Sequence, residues 1–280
     1  MKINSTQWIV IAGCSVLVIG IYLFADTKKI ETAQSGGPMA SRDAKKESAA
    51  PEFDWEGYLK KVKAHITNQD TLNLIWGWEK TPSEPNLKAL IDLYHVRGES
   101  VSEAYYTLQL AQLKKDAKLD IRAGDLFSAT AAISNDDTIH LFLADRAVES
   151  YKNALALDST TANRLKLATA YMDQGTTPMQ GVGILLSIVA KDSNNADAQL
   201  LLGKFGIVSR QFDKAIVRLE KVVSLRPQNY DALFLLAEAH MEKGDKQKAI
   251  ELLEKCSKMV DKPELKKEID QYIKNIKAKS

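Results

Sequence analysis

Catalysis or metal ligation in this chain would have to draw on four histidines, two cysteines and a few paired acids and glycines. A zinc-protease helix needs two histidines one turn apart with a glutamate between them, whereas His65, His95, His140 and His240 lie far apart and none sits in that pattern. Cys14 and Cys256 are too few for a disulfide framework or a structural zinc site. Cys256 falls at a helical packing position and reads as a small buried hydrophobe. Gly181-Val182-Gly183 lacks the third glycine and the preceding strand that a phosphate-cradling loop requires. Asp136-Asp137 resembles half a metal site, but the polar run Ser134 to Thr138 reads more simply as a turn between helices. Lys61 to Lys63 and the Lys-rich end alternate with acids or follow amphipathic spacing, as solvated helix faces do. The sequence therefore predicts no catalytic residue, no cofactor and no metal. The enzymatic alternative is a site hidden in 53–160, where regular patterning is weakest.

Composition points the same way. Of the 280 residues, 45% are hydrophobic and 26% charged, with a formal net charge of +2, so there is no global electrostatic drive toward nucleic acid. The 14 glycines and 7 prolines leave turn signals far apart, which favours helices over a sandwich or barrel.

The hydrophobicity is unevenly spread. Ile3 to Ala25 carries no charge, and Trp8 to Phe24 is almost wholly apolar. As a helix that stretch is roughly 26 Å long, near the thickness of a bilayer's hydrocarbon core. Trp8 and Tyr22 stand where interfacial aromatics belong. We read 1–25 as a transmembrane anchor. Cleavage after Leu23-Phe24-Ala25 would put Leu where a signal peptide needs a small residue. A lipoprotein signal at Ile11-Ala12-Gly13-Cys14 would leave about ten apolar residues behind it. Residues 26–52, rich in Ala, Ser, Lys, Gly and Glu, cannot bury enough surface to offset their ordering entropy, and read as a flexible linker. Lys28, Lys29, Arg42, Lys45 and Lys46 follow the span, so a literal count of basic residues keeps the large domain cytoplasmic.

Residues 53–84 read as one or two amphipathic helices. Phe53, Tyr58, Val62 and Ile66 form one apolar stripe, and Leu72, Leu74, Ile75 and Trp78 suggest another. Trp55, Trp76 and Trp78 are either an interaction surface or the cover of the array's first end.

The strongest signal is periodic. Ala147, Gly181, Ala215 and Ala249 recur every 34 residues. Ala198-Gln199-x2-Leu202-Gly203 leads to Phe212, Ala215, Leu219, Val222 and Pro227, and Ala232-Leu233-x2-Leu236-Ala237 leads to Ala249, Leu253 and Cys256. Leu167-Ala168-x2-Tyr171 leads, after one extra residue, to Gly181, Leu185 and Ile188. This resembles the tetratricopeptide repeat (TPR), in which small residues let two antiparallel helices approach closely. The resemblance extends over 161–262, with degenerate TPR-like helices over 85–160. Arg164 and Gln199 depart from it, standing where the pattern prefers Trp. Residues 263–280, with Leu265, Ile269, Tyr272, Ile273 and Ile276 on one face, read as a capping helix. The expected fold is an all-α, TPR-type helical-hairpin solenoid with a C-terminal capping helix, preceded by one transmembrane helix and a flexible linker.

The resemblance implies a concave protein-binding groove lined by first helices: Leu165, Thr169 and Met172, then Leu200, Leu201, Lys204, Ile207 and Val208, then Phe234, Glu238 and Met241. Leu201 and Leu235 stand where chaperone-binding relatives carry a clamp Asn, and Asp197 and Asp231 where they carry Lys, so a terminal-carboxylate clamp is not expected. The apolar wall suits an amphipathic or extended hydrophobic segment, unless the final helix or residues 53–82 fill it. On this reading, charging Leu200 and Phe234 abolishes capture without unfolding the array. The arrangement is similar to bacterial inner-membrane proteins that tether such arrays, which implies an adaptor in envelope protein assembly on the extracytoplasmic side. Its expected partners are a protein in the groove and the membrane through the N-terminal helix, without nucleic acid. Self-association as a homo-oligomeric membrane spacer is the alternative.

Overall fold

The computed structural model describes residues 53–278. The expected membrane anchor at 1–25 and linker at 26–52 lie outside the described residues. Within them there are thirteen helices and no strands: α1 Trp55–Ala64, α2 Gln69–Lys80, α3 Glu84–Val96, α4 Ser100–Lys114, α5 Ala117–Ala132, α6 Asp137–Leu157, α7 Thr161–Gln174, α8 Pro178–Lys191, α9 Ala196–Val208, α10 Phe212–Leu225, α11 Tyr230–Glu242, α12 Lys246–Met259 and α13 Pro263–Ala278. No helix among the described residues is long and apolar enough to cross a membrane.

From α3 onward the chain is five helical hairpins, α3/α4 to α11/α12, followed by α13. Local chemistry sets where each hairpin begins. The side chains of Ser83, Asp116, Thr160, Asn195 and Asn229 each accept a backbone N–H in the first turn of α3, α5, α7, α9 and α11, satisfying donors a helix start leaves open. The turn after the first helix uses a left-handed residue in four of the five hairpins, glycine at Gly98, Gly175 and Gly244 but Arg210 (φ 58°) in the α9–α10 turn.

The period-34 residues mark the closest approach of the helices. Ala147, Ala215 and Ala249 are at most 1% exposed, and a Cβ on Gly181 would lie 2.4 Å from the Ala168 carbonyl oxygen. A Cβ on Gly203 would meet the Leu219 side chain at 2.7 Å, and one on Gly124 the Tyr151 ring at the same distance. These equivalent contacts make α5/α6 a hairpin of the same construction, with α5 the partner helix that sequence periodicity did not supply for Ala147 and Tyr151.

From α2 onward each helix packs on its chain neighbours, and α9 also packs on α7 and on α11. The first helices α7, α9 and α11 therefore form one continuous wall on the inner side of the stack, outside which lie α8, α10 and α12. At the far end, Ile269, Ile273 and Ile276 of α13 join Leu233, Ala249, Leu253 and Cys256 in one buried cluster. Cys256 is 1% exposed and burial pushes its thiol up to about 11, so it packs as a hydrophobe.

The N-terminal helices cover the opposite end. Phe53 stacks on Phe142 of α6 at 4.2 Å between ring centroids, and Trp55 lies 4.1 Å from Tyr105 of α4. Val62, Ile66 and Ile75 are buried against α3 and α4, joined by the half-buried Leu72 and Trp78. Leu74, placed in the same stripe from sequence, instead points outward at 52% exposure, as does Trp76. Trp55 and Trp78 thus serve the cap and Trp76 does not.

Candidate protein-binding groove

The histidines do not converge. His95 Nδ1 lies 3.0 Å from Glu103, His140 Nδ1 lies 3.0 Å from the Ala131 carbonyl oxygen, and His240 Nδ1 lies 3.3 Å from Asp245. Among the described residues no group of three or more His, Cys, Asp or Glu side chains comes together as a metal site would require. A cavity of about 440 Å³ between α1 and α2 is lined by Glu56, Leu59, Lys60, Lys63, Leu72 and Trp76. Its most buried charge is already engaged. Lys63 pairs with Glu79 at 2.5 Å, and the other Glu79 oxygen accepts the Tyr106 hydroxyl. This self-satisfied triad fastens α1 and α2 to α4.

A row of polar residues runs through the middle hairpins, four residues before the small residue of each first helix. Arg164 donates to Ser187 Oγ at 2.6 Å. Gln199 donates to the Ser193 carbonyl at 2.9 Å and accepts from Arg218 at 2.9 Å. Each thereby bridges its own hairpin where an indole would have filled space. Asp120, the α5 member of this row, is 2% exposed, and its Oδ1 has no hydrogen-bond partner. Burial, with the charges of Asp116 and Glu149 adding to it, raises its carboxyl to about 6, against a hydrogen bond from Asn153 that lowers it.

A folded-state value above the unfolded one means that the folded protein binds the extra proton between about pH 4 and 6. This group's contribution to stability therefore falls as pH rises through that window and stays low above it. Asp120→Asn is expected to be more stable than the wild type at pH 7 by about 1–2 kcal/mol, with the advantage vanishing at pH 4. Thermal melts of both proteins across pH 4 to 8 check this, and a difference independent of pH would contradict it.

The expected groove residues divide into two sets. Leu165 and Leu201 border the buried cluster between α7, α8 and α9, as Leu200 does the cluster between α9, α10 and α11, so all three are half-buried in seams between helices. Met172 leans on α8, its Cγ 3.1 Å from where a Gly181 Cβ would lie. Lys204 is exposed and Glu238 half-exposed, and Ile207, also half-exposed, borders the same cluster as Leu200. Val208, 75% exposed, is the most open apolar side chain on this wall.

Phe234 and Met241 pack against the α13 cluster, and the Phe234 ring centroid lies 6.4 Å from that of Tyr272. The expectation that Phe234 can be charged without disturbing the array is thereby corrected, because its ring helps to seat the final helix. α13 borders only this end of the wall and leaves Phe234, Glu238 and Met241 half-exposed. Residues 53–82 pack around α3 to α6 and do not fill it.

Asp173 was missed from sequence because its α7 position aligns, after the extra residue, with apolar Val208. Burial raises its carboxyl, opposed by the charges of Lys204 on α9 and His140 on α6. The signal was available in the alignment, where Asp173, Val208 and Glu242 occupy one register.

The tetratricopeptide repeat model matches residues 207–267, which run from the end of α9 into α13. No curated protein sequence matches the chain. Among solved structures, the chain is similar to the MamA protein, at 20% identity and a TM-score of 0.48 over 63% of this chain and 91% of that one. It is similar to MamA from residue 41 to its end, from Desulfovibrio magneticus RS-1, at 19% identity and a TM-score of 0.49 over 64% and 96%. A third is YrrB, described as a TPR protein with an unusual peptide-binding site, at 15% identity and a TM-score of 0.46 over 71% and 97%.

Proposed function

We propose that this chain, a tetratricopeptide-repeat protein by the match over residues 207–267, is a membrane-tethered interaction scaffold. The wall formed by α7, α9 and α11 receives a partner polypeptide. The observation that carries this reading is the open stretch of that wall, where Ile207 and Val208 stand exposed or half-exposed beside Lys204 with no described segment over them. A row of apolar side chains presented by rigid helices suits a partner helix or extended strand, because the scaffold loses little conformational entropy on binding. The apolar run Trp8 to Phe24 supports the tether. A role in envelope protein assembly, with the array on the extracytoplasmic side, completes the proposal and rests on the likeness of this arrangement to tethered bacterial repeat proteins.

The test is in-cell photocrosslinking from position 204 followed by mass spectrometry, in the wild-type background and with Val208→Asp or Leu200→Asp. Defined adducts are expected, and Val208→Asp should reduce them about ten-fold while the circular-dichroism melt is unchanged, since a charge there is excluded from an apolar interface and not from the core. Adducts indifferent to both substitutions would refute the groove. An adduct with a second copy of the chain would instead make it a self-associating spacer.

A further inference from the structure

We propose that the α11 end of the groove selects a basic side chain, so that the partner segment is amphipathic and cationic; this rests on the groove being a partner-binding surface. Along α11, Asp231, Phe234, Glu238 and Met241 follow at three- and four-residue spacing and share one face. That face meets Tyr272 of α13, whose own stripe includes Leu265 and Glu268. The result is a patch of two aromatic rings and a thioether edged with carboxylates. From Tyr230 to Glu242 the helix carries three acids and neither Lys nor Arg.

Equivalent positions one repeat earlier are electrically different. Asp197, the counterpart of Asp231, is held by the two terminal guanidinium nitrogens of Arg226 at 2.5 and 3.1 Å. Lys204, the counterpart of Glu238, faces the charge of Asp173. The α7–α9 stretch is thus internally compensated. On α11, neither Asp231 nor Glu238 forms an ion pair among the described residues. Burial raises both carboxyls, with the charge of Glu242 adding at Glu238.

A bound ammonium or guanidinium would give these carboxylates the partner the fold does not supply, with its stem against Phe234 and its charge near the ring faces. An acidic segment would meet the same carboxylates as repulsion. Leu200, Ile207 and Val208 on α9, seven or eight residues apart, take the apolar side of the same partner.

The experiment uses the full chain in a non-ionic detergent and two fluorescein-labelled 14-residue helical peptides, each with Leu on one face and either Lys or Glu on the other. The Lys peptide is expected to bind at least about ten-fold more tightly than the Glu peptide. Glu238→Gln combined with Asp231→Asn should weaken it about five-fold without lowering the melting temperature, and Val208→Asp should weaken both its apolar contacts and its affinity. If the two peptides bind alike, or the Gln/Asn variant binds the Lys peptide as the wild type does while Val208→Asp weakens it, the charge selection is overturned and the groove stands. If Val208→Asp has no effect on a bound peptide, or neither peptide binds, the proposal is overturned, the first result also removing the groove.

Discussion

Gly181→Val is expected to unfold the α7/α8 hairpin, lowering stability by more than about 4 kcal/mol. A Cβ at position 181 would lie 2.4 Å from the Ala168 carbonyl oxygen, with Met172 Cγ at 3.1 Å and Tyr171 Cβ at 3.2 Å. The nearest atom belongs to the backbone of a hydrogen-bonded helix, so no rotamer change relieves the overlap. The two helices must separate, and separating them exposes Leu185 and Ile188, now fully or almost fully buried. Gly183, two residues on, is the internal control. Nothing lies within 4 Å of a Cβ there, so Gly183→Ala should stabilise α8 by about 0.5–1 kcal/mol through helix propensity. Chemical denaturation of the two variants separates these outcomes. Equal effects would show that Gly181 is not at a close approach.

Leu219→Ala is expected to cost about 3–5 kcal/mol, near the upper range for deleting a buried leucine side chain. Leu219 is fully buried and occupies the space that Gly203 leaves empty, its Cγ 2.7 Å from where a Cβ would be. It also belongs to a cluster with Leu236 and Ala239 of α11, so one side chain joins two successive hairpins. In a stack stabilised by nearest-neighbour interfaces, its loss should loosen the joint between α9/α10 and α11/α12 before the rest of the array. Because the void faces Gly203, adding Gly203→Ala to Leu219→Ala should recover part of the loss, although Gly203→Ala alone destabilises; a double-mutant cycle measures that coupling. Val217→Ala on the same helix, at a side chain 65% exposed, should change stability by less than about 0.5 kcal/mol.

Both predictions concern positions whose importance was readable before any coordinates, and for one reason. A solenoid repeat contacts only its neighbours, so the same packing problem recurs every 34 residues and is answered with the same residue sizes. Ala147, Gly181, Ala215 and Ala249 are small because two helix backbones cross there. The α5 helix escaped notice because α6 is 21 residues long, which breaks the spacing between the small residues of its hairpin. Gly181-Val182-Gly183, met first as a weak phosphate-loop candidate, resolves into one glycine required by packing and one that is merely exposed.

Residue type and period by themselves determined the helical hairpins, the inward-facing small residues and the helices that line the groove, since these follow from local periodicity and side-chain size. Tertiary structure alone decided how those lining residues are used. Leu165, Leu200 and Leu201 are drawn into seams, Phe234 is claimed by α13, and Val208 is left open, because exposure depends on the spacing of three helices at once. The electrostatics were settled at the same level. Asp197 and Asp231 are the same residue at the same repeat position, yet Arg226 holds one and, among the described residues, no ion pair forms at the other. A charge's worth is fixed by what stands within a few ångströms of it, and in this chain that neighbour is nearly a full repeat away in sequence.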